Sequence, residues 1–263
     1  GYGHSTIGYE EDVRAMPEGL DAALAFYADH YRPGNAVVVV AGDVDAAKAM
    51  DAIESAWGAW QAPAEAPLAP LPVAEEPQAG PRTAEVLWTQ GPAQPRLELA
   101  YKVPAYDPGS SDSAALAVAA ELLSASSAPL RRELVEGGDA PALSFWAGGG
   151  RSADPGLFTL SMRLKEPSDM DSAEAMVLGG LASLQDVDPE RLERAKSALR
   201  RSALLRLDSP DRWASTLGRH AVLGSPEGPS VHLETLASVS ADDVARVASL
   251  YLVDSGRTTV RLQ

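Results

Sequence analysis

The feature that most constrains the fold of this chain is a continuous apolar segment, Ala36-Val37-Val38-Val39-Val40-Ala41. Gly42-Asp43 end the segment, and Asp45 can cap a helix predicted over residues 46–57. Because both faces of the segment are apolar, it predicts a strand that is buried on both faces and has neighbouring strands on each side. Residues 1–61 offer only this one clear strand. Its neighbours are therefore expected from the rest of the chain, from sequence outside it or from another copy.

A Pro/Ala-rich stretch, residues 62–82, has no hydrophobic period. This composition is typical of an extended, protease-sensitive linker with polyproline character. The linker divides the chain into a first piece, residues 1–61, and a second piece, residues 83–263. The second piece is long enough to form a domain by itself.

The second piece contains a series of candidate strands and helices. Strands are predicted at residues 84–89, 96–103, 142–147, 157–164 and 258–262. Helices are predicted at residues 111–124, 130–136, 169–184, 189–207, 210–222, 232–237 and 241–251. Strands come first, helices follow and one strand closes the series. This order predicts an α+β fold, an antiparallel sheet with helices packed mainly on one face.

Glycine and arginine clusters in the second piece favour structural roles over binding roles. Gly148-Gly149-Gly150 lacks the Gly-Lys-Ser/Thr that completes a phosphate loop, and it predicts a hairpin. Gly179-Gly180 inside a predicted helix indicates close packing against a neighbouring element. The arginines of residues 189–207 alternate with Glu190 and Glu193, which is typical of a charged, solvated helix face.

The charge balance excludes several classes of partner. Lys and Arg number 22 and Asp and Glu 37, a formal net charge of −15. Nucleic acids and anionic membranes need a basic face, so neither is expected as a partner. The chain has no cysteine, which excludes thiol chemistry and Cys-zinc sites and leaves cytoplasm and periplasm both open. No apolar run approaches the ~18–20 residues that a membrane-spanning helix needs.

An ordered set of short motifs surrounds the apolar segment. Tyr2-Gly3-His4-Ser5-Thr6-Ile7-Gly8 comes first. A predicted helix ending at Tyr31 follows, with Pro33 and Asn35 just beyond it, and the Val-rich strand then ends at Gly42-Asp43. This set resembles the pitrilysin/insulinase-like zinc peptidases, the family that includes mitochondrial processing peptidase.

The resemblance implies a pair of duplicated peptidase-like domains. Residues 1–61 would be the C-terminal part of a first, incomplete domain, and residues 83–263 a second domain that binds no metal. An internal sequence repeat supports the duplication. Residues 248–260 repeat the helix, terminal tyrosine, turn and β-branched strand of residues 28–40. The alternative to duplication is that two helix–turn–strand units resemble each other by chance.

The family holds zinc with a His-x-x-Glu-His helix and a later Glu. The four histidines of this chain, His4, His30, His220 and His232, form neither that motif nor His-x-x-x-His. In the family's order the zinc ligands all precede the Tyr-Gly-His loop. We therefore expect no metal site, no catalytic residue and no peptidase activity in this chain alone. Zinc is expected only in the full-length protein or in a partner subunit.

The family also uses an Arg and a Tyr of its second domain to grip substrate. The matching run here is Pro129-Leu130-Arg131-Arg132-Glu133-Leu134-Val135-Glu136, followed by residues 140–145. The Arg position is Pro129 and the Tyr position is Leu143, and neither side chain can donate a hydrogen bond. Arg131 and Arg132 are the remaining substrate-binding candidates. The alternative for both is a solvated helix face.

Three functions remain open at this point. The first is the non-metal portion of a zinc metalloendopeptidase-like protein, which would help enclose and position a peptide or unfolded polypeptide. The second is a catalytically inactive paralogue that acts as scaffold or peptide-binding partner of an active subunit. The third, outside the family, is an acidic α+β binding module. In the first two, a second peptidase-like chain or self-association is expected.

Overall fold

The computed structural model describes residues 7–61, 77–91, 93–149, 151–224 and 226–263. It divides into two compact units, one of residues 1–75 with 207–226, and one of residues 76–206 with 227–263. Residues 207–226 thus belong to the first unit, although the sequence places them in the second piece. Most of the predicted linker, residues 62–76, lies outside the described residues.

The α-helices of the described residues are α1 Glu10–Ala15, α2 Leu20–His30, α3 Ala46–Trp57, α4 Ser111–Ser124, α5 Pro129–Val135, α6 Met170–Ala182, α7 Pro189–Leu205, α8 Pro210–Val222, α9 Gly228–Ser238 and α10 Ala241–Tyr251. The strands are β1 Arg82–Val86, β2 Arg96–Val103, β3 Ala142–Gly149, β4 Gly156–Leu164 and β5 Arg257–Leu262. In this described part, no single helix is long and apolar enough to cross a bilayer. The pair α4 and α5 reaches that length only together and is bent by 42°.

The apolar segment at residues 36–41 lies in the first unit and pairs with no strand of the described residues. Its backbone is extended, with Ala36 at φ −121° and ψ 138°. Val37, Val38 and Val40 are 60%, 51% and 49% exposed. The predicted burial on both faces is therefore wrong for this chain, because a strand is buried only when neighbours and covering helices are present.

The first unit contains a capped helix and a contact between a helix and the apolar segment. The Asp45 side chain accepts hydrogen bonds from the Ala47 and Lys48 amides at 2.9 and 3.1 Å, which confirms the predicted cap of α3. A Cβ added at Gly218 of α8 would lie 3.9 Å from Val39 Cγ2. Helix α8 therefore packs against the apolar segment.

The second unit is built on one sheet with the strand order β1-β5-β2-β4-β3. Neighbours are antiparallel, except that β1 and β5 are parallel, with Arg82 opposite Thr258. The expected antiparallel sheet thus has one parallel pair at its edge. Strand β5 lies inside the sheet, between β1 and β2.

One face of this sheet forms the hydrophobic core. Alternate residues of β2 and β4 are buried there: Leu97, Leu99, Tyr101 and Val103, with Phe158, Leu160, Met162 and Leu164. Helices α4, α5 and α10 pack over the core through small and branched side chains such as Ala115, Leu134 and Val247. The predicted α+β fold with helices on one face is confirmed.

A buried ionic cluster ties α6 to β5. The Glu174 carboxylate accepts hydrogen bonds from Arg261 Nη2 at 2.5 Å and Thr259 Oγ1 at 3.2 Å, and lies 3.9 Å from Arg257 Nη2. Tyr101 lies beside Arg257. Burial raises the pKa of Tyr101 to about 12, and the Arg257 charge opposes the shift.

Gly180 of α6 lies close to Leu130 of α5. A Cβ added at Gly180 would come within 2.5 Å of Leu130 Cδ2 and 3.1 Å of its Cγ. A Cβ added at Gly179 would meet no atom within 4 Å. The close packing predicted for this glycine pair is thus confirmed for Gly180.

The pair provides a matched test of that packing. Gly180→Ala is expected to lower the free energy of unfolding by about 1–2 kcal/mol, because Leu130 is buried and its displacement disturbs the core. Gly179→Ala is expected to raise it by about 0.5–1 kcal/mol, since alanine favours the helix. Urea denaturation of both variants measures the difference. The same change in both would contradict a specific contact at Gly180.

Candidate functional site

The two positions predicted from the resemblance to match the family's substrate-binding Arg and Tyr lie on α5 and β3. Pro129 is the first residue of α5, and Leu143 lies on β3, the last strand in the sheet order. The register of β3 against β4 shifts between Ala142 and Ser144, so Leu143 is the extra residue of a β-bulge. Its side chain is 46% exposed. Helix α5 and the bulge thus form an exposed surface without a hydrogen-bonding side chain at either position.

Arg131 is held by the backbone of β3. Its Nη1 donates a hydrogen bond to the Phe145 carbonyl oxygen at 2.8 Å, and the residue is partly buried. Ser124 Oγ, at the end of α4, lies 3.5 Å from the Ala147 carbonyl oxygen. Two side chains from the helices therefore lie against backbone carbonyls of this edge strand.

Arg132 lies on the exposed face of α5. Its Nε is 3.7 Å from Glu136 Oε2, and both side chains are more than half exposed. An exposed i,i+4 ion pair of this kind contributes at most about 0.5 kcal/mol. The sequence alternative of a solvated helix face describes Arg132, whereas Arg131 has a specific backbone partner.

A groove of about 300 Å³ begins at Pro129 and runs between α4 and α7. Arg191 and Arg194 of α7 line it opposite Glu121 of α4. Burial raises the pKa of the Glu121 carboxyl, and the Arg201 charge opposes this shift. The size is at the lower end of ligand pockets in proteins, and the walls combine apolar and charged groups.

A second hollow of about 450 Å³ continues from this groove along α7 and shares Arg194 and Ser127 with it. Glu190 lies 2.5 Å from Arg194 Nη1 at the open side. The arginines of α7 look like an ordinary charged helix face in the sequence. Their part in a groove depends on the packing of α4 against α7, which no local pattern reports.

Three of the four histidines lie in the described part of the chain, and none belongs to a metal-binding group there. His30 ends α2, where its Nδ1 lies 3.0 Å from the Phe26 carbonyl oxygen. His220 is buried in α8 and His232 in α9, and His4 lies outside the described residues. Within the described ranges, no group of three or more His, Cys, Asp or Glu side chains could hold a metal ion. The described residues therefore do not fit a zinc centre.

The fold defines an α+β domain with an exposed surface at α5 and the bulge of β3. The family profile described as the Peptidase M16 inactive domain matches residues 19–199, and the chain belongs to this family. The resemblance to pitrilysin/insulinase-like zinc peptidases is thereby confirmed. An acidic binding module outside the family is excluded.

The chain is similar to several known proteins over its whole length. The zinc protease PqqE of Helicobacter pylori is 25% identical over 266 residues, which covers 100% of this chain and 58% of that protein. The crystal structure of a protease from Helicobacter pylori matches with a TM-score of 0.85 at 24% identity, covering 98% of this chain and 62% of that one. A peptidase M16 inactive domain from Pseudomonas fluorescens matches with a TM-score of 0.79 at 19% identity, covering 99% and 60%.

The chain thus spans about 60% of the length of these relatives.

Proposed function

We propose that this chain is the non-metal-binding portion of a zinc metalloendopeptidase-like protein, and that it helps enclose and position a peptide substrate. The observation that carries the proposal is the groove of about 300 Å³ at Pro129, where the family's gripping arginine would stand. The family match over residues 19–199 includes α5, β3 and most of α7. Zinc and the hydrolytic step would come from the rest of the full-length protein or from a partner subunit.

The groove offers an extended peptide two kinds of contact. Arg191 and Arg194 can donate to peptide carbonyls or acidic side chains. Leu122, Ala125 and Ala195 supply apolar wall. Arg131 would not contact the peptide itself. It would act indirectly, by holding the edge of β3 in place beside the entrance of the groove at α5. Arg132 could contribute only through its charge. Alternatively, a peptide could add to the free edge of β3, but it would then compete with the Arg131 contact to Phe145.

A second candidate is an inactive paralogue that serves as scaffold or peptide-binding partner of an active subunit. The replacement of the family's Arg and Tyr by Pro129 and Leu143 favours it. Both candidates predict peptide binding by this chain. They differ in whether the bound peptide is cleaved faster when a zinc-bearing peptidase-like chain is present.

Peptide binding should be measured with the purified chain and a fluorescent, unfolded polypeptide. We expect saturable binding without cleavage, and the double variant Arg191→Glu/Arg194→Glu should bind at least about tenfold more weakly, since two charge-assisted contacts are lost. Arg163→Gln, on the exposed side of β4, is the matched control and should bind normally. Equal binding by all three proteins would rule out the groove. Chelator-sensitive cleavage by the chain alone would contradict the proposal that zinc and the hydrolytic step come from outside this chain.

The two candidates are separated by adding the zinc-bearing portion of the protein or an active partner subunit. A rise in kcat/KM that is lost in the double variant supports the first candidate. Binding with no change in kcat/KM supports the scaffold. Arg131→Gln and Arg132→Gln belong to the same series, and only Arg131→Gln is expected to weaken binding.

A further inference from the structure

A small cavity of about 70 Å³ lies in the second unit, where β2, α4, β4 and α9 meet. Its apolar walls come from the end of β2, the middle of α4 and the start of β4. These are Val103, Leu116 and Phe158. Its polar residues include Tyr106 from the loop after β2, Arg151 from the loop after β3 and His232 from α9, with Ser113 of α4.

The three polar side chains are in mutual contact. Arg151 Nη2 lies 3.2 Å from His232 Nε2, and the Arg151 guanidinium carbon lies 5.2 Å from the centre of the Tyr106 ring. The Tyr106 and His232 rings are 6.0 Å apart. Because a guanidinium only donates, His232 Nε2 is the acceptor in this contact. His232 and the Tyr106 ring therefore hold Arg151 in place.

The three side chains differ in how much of their surface is exposed to solvent. His232 is 6% exposed, and the Tyr106 hydroxyl oxygen has less than 1 Å² of exposed surface. Arg151 is exposed, so the cavity opens to solvent at the guanidinium. Burial raises the pKa of Tyr106, and the Arg151 charge opposes this shift. The nearby Asp107 carboxylate is engaged in its own turn, where it accepts from the Gly109 amide at 2.8 Å.

We propose that this cavity is a binding site for a carboxylate group on a short stem, with Arg151 as the ligand contact and Tyr106 and His232 as positioning residues. A guanidinium at the mouth of an apolar hollow is a group that recognises a carboxylate. The volume is about half that of the ~150 Å³ cavity that takes a benzene ring, so it admits only a few heavy atoms. The carboxylate can belong to a small acid or to a peptide's C-terminus or acidic side chain.

The proposal does not depend on the peptide groove, because the two sites share no residue. The probes are acetate and propionate, titrated into the full chain with sodium chloride at equal ionic strength as the reference. The His232 ring signals in NMR spectra report binding, and His232→Asn assigns them. We expect saturable shifts with both acids. Propionate should bind about fourfold more tightly, since one more CH₂ enters the apolar hollow.

Substitutions then test the contacts. Arg151→Gln should weaken propionate binding by about tenfold or more, because it removes the donor to the carboxylate. Tyr106→Phe should bind nearly like the parent chain, because it keeps the ring that holds Arg151. Arg163→Gln is again the matched control and should bind like the parent chain. If Arg151→Gln perturbs the fold, Arg151→Lys retains the charge and should still weaken binding by losing the two-pronged geometry. Shifts that chloride reproduces, shifts without saturation, or unchanged affinity in Arg151→Gln would overturn the proposal.

Three short peptides distinguish the sources of the carboxylate. One has a free C-terminus, one is amidated, and one is amidated but ends in glutamate. Binding of the first alone assigns the site to peptide C-termini, and binding of the first and third assigns it to any peptide carboxylate. Binding of the small acids without any peptide assigns it to free small acids.

Discussion

Glu174→Ala is expected to lower the free energy of unfolding by about 2 kcal/mol, because Arg261 and Thr259 lose their hydrogen bonds to a largely buried carboxylate. Glu174 is only 12% exposed and bonds both Arg261 and Thr259 of β5. The loss would loosen β5, on which both β1 and β2 depend for pairing. Urea denaturation followed by circular dichroism measures the effect.

Asp171→Ala is the matched control for that prediction. Asp171 contacts the same Arg261 at 2.8 Å, but its side chain is 86% exposed. Its loss should cost no more than about 1 kcal/mol, as for other solvated ion pairs. Equal destabilisation by the two variants would show that burial of Glu174 contributes nothing beyond charge.

Self-association of the chain through residues 36–41 is the second expected result. An extended, half-exposed apolar segment whose backbone pairs with no described strand is a template for another copy. Sedimentation of the full chain should show association that increases with concentration. Val38→Lys/Val40→Lys should weaken it by at least about tenfold, since each lysine places a charge where two copies meet.

Ala52→Lys/Ala56→Lys on α3 adds the same two charges at exposed positions outside the segment. This control should associate like the parent chain. A monomeric parent chain, or equal weakening by both pairs, would mean that residues 36–41 are not the contact. A peptide of residues 1–61 is further expected to show no cooperative unfolding, because it buries too little apolar surface to offset chain entropy.

The helices of the second unit could be predicted closely where a side chain caps their start. Helix α4 begins after Ser110, whose side chain accepts from the Asp112 amide, and α10 begins with a capping box between Ser240 and Asp243. Both helices have the residue bounds predicted from the sequence. Caps are local, so a short window of sequence contains the whole interaction.

The sheet could be predicted only in part. Alternation of buried and solvent-facing residues marks β2 without ambiguity, from Leu97 to Val103. No local signal reveals that β5 enters between β1 and β2 or that it runs parallel to β1. Strand order depends on contacts between residues that are distant in sequence, and one helix–turn–strand unit looks like another.

The candidate sites were the least predictable part. Pro129 and Leu143 were found by resemblance, whereas the bulge that exposes Leu143 appears only when β3 is paired with β4. Tyr106, Arg151 and His232 come from three separate parts of the chain and meet only after α9 has packed on α4. Each looks like an ordinary loop or surface residue until then. The predicted division at residues 61 and 83 and the internal duplication remain predictions.

The interior position of β5 has a consequence for synthesis of the protein. Because β1 pairs only with β5 among the described strands, it must wait for residues 257–262 to leave the ribosome. Until then, one edge of β2 is also open, and the nascent chain displays unpaired strand edges until β5 emerges. A ribosome that stalls after α10 would therefore release a product with every helix of the second unit but an unfinished sheet, a natural substrate for chaperones and quality-control proteases.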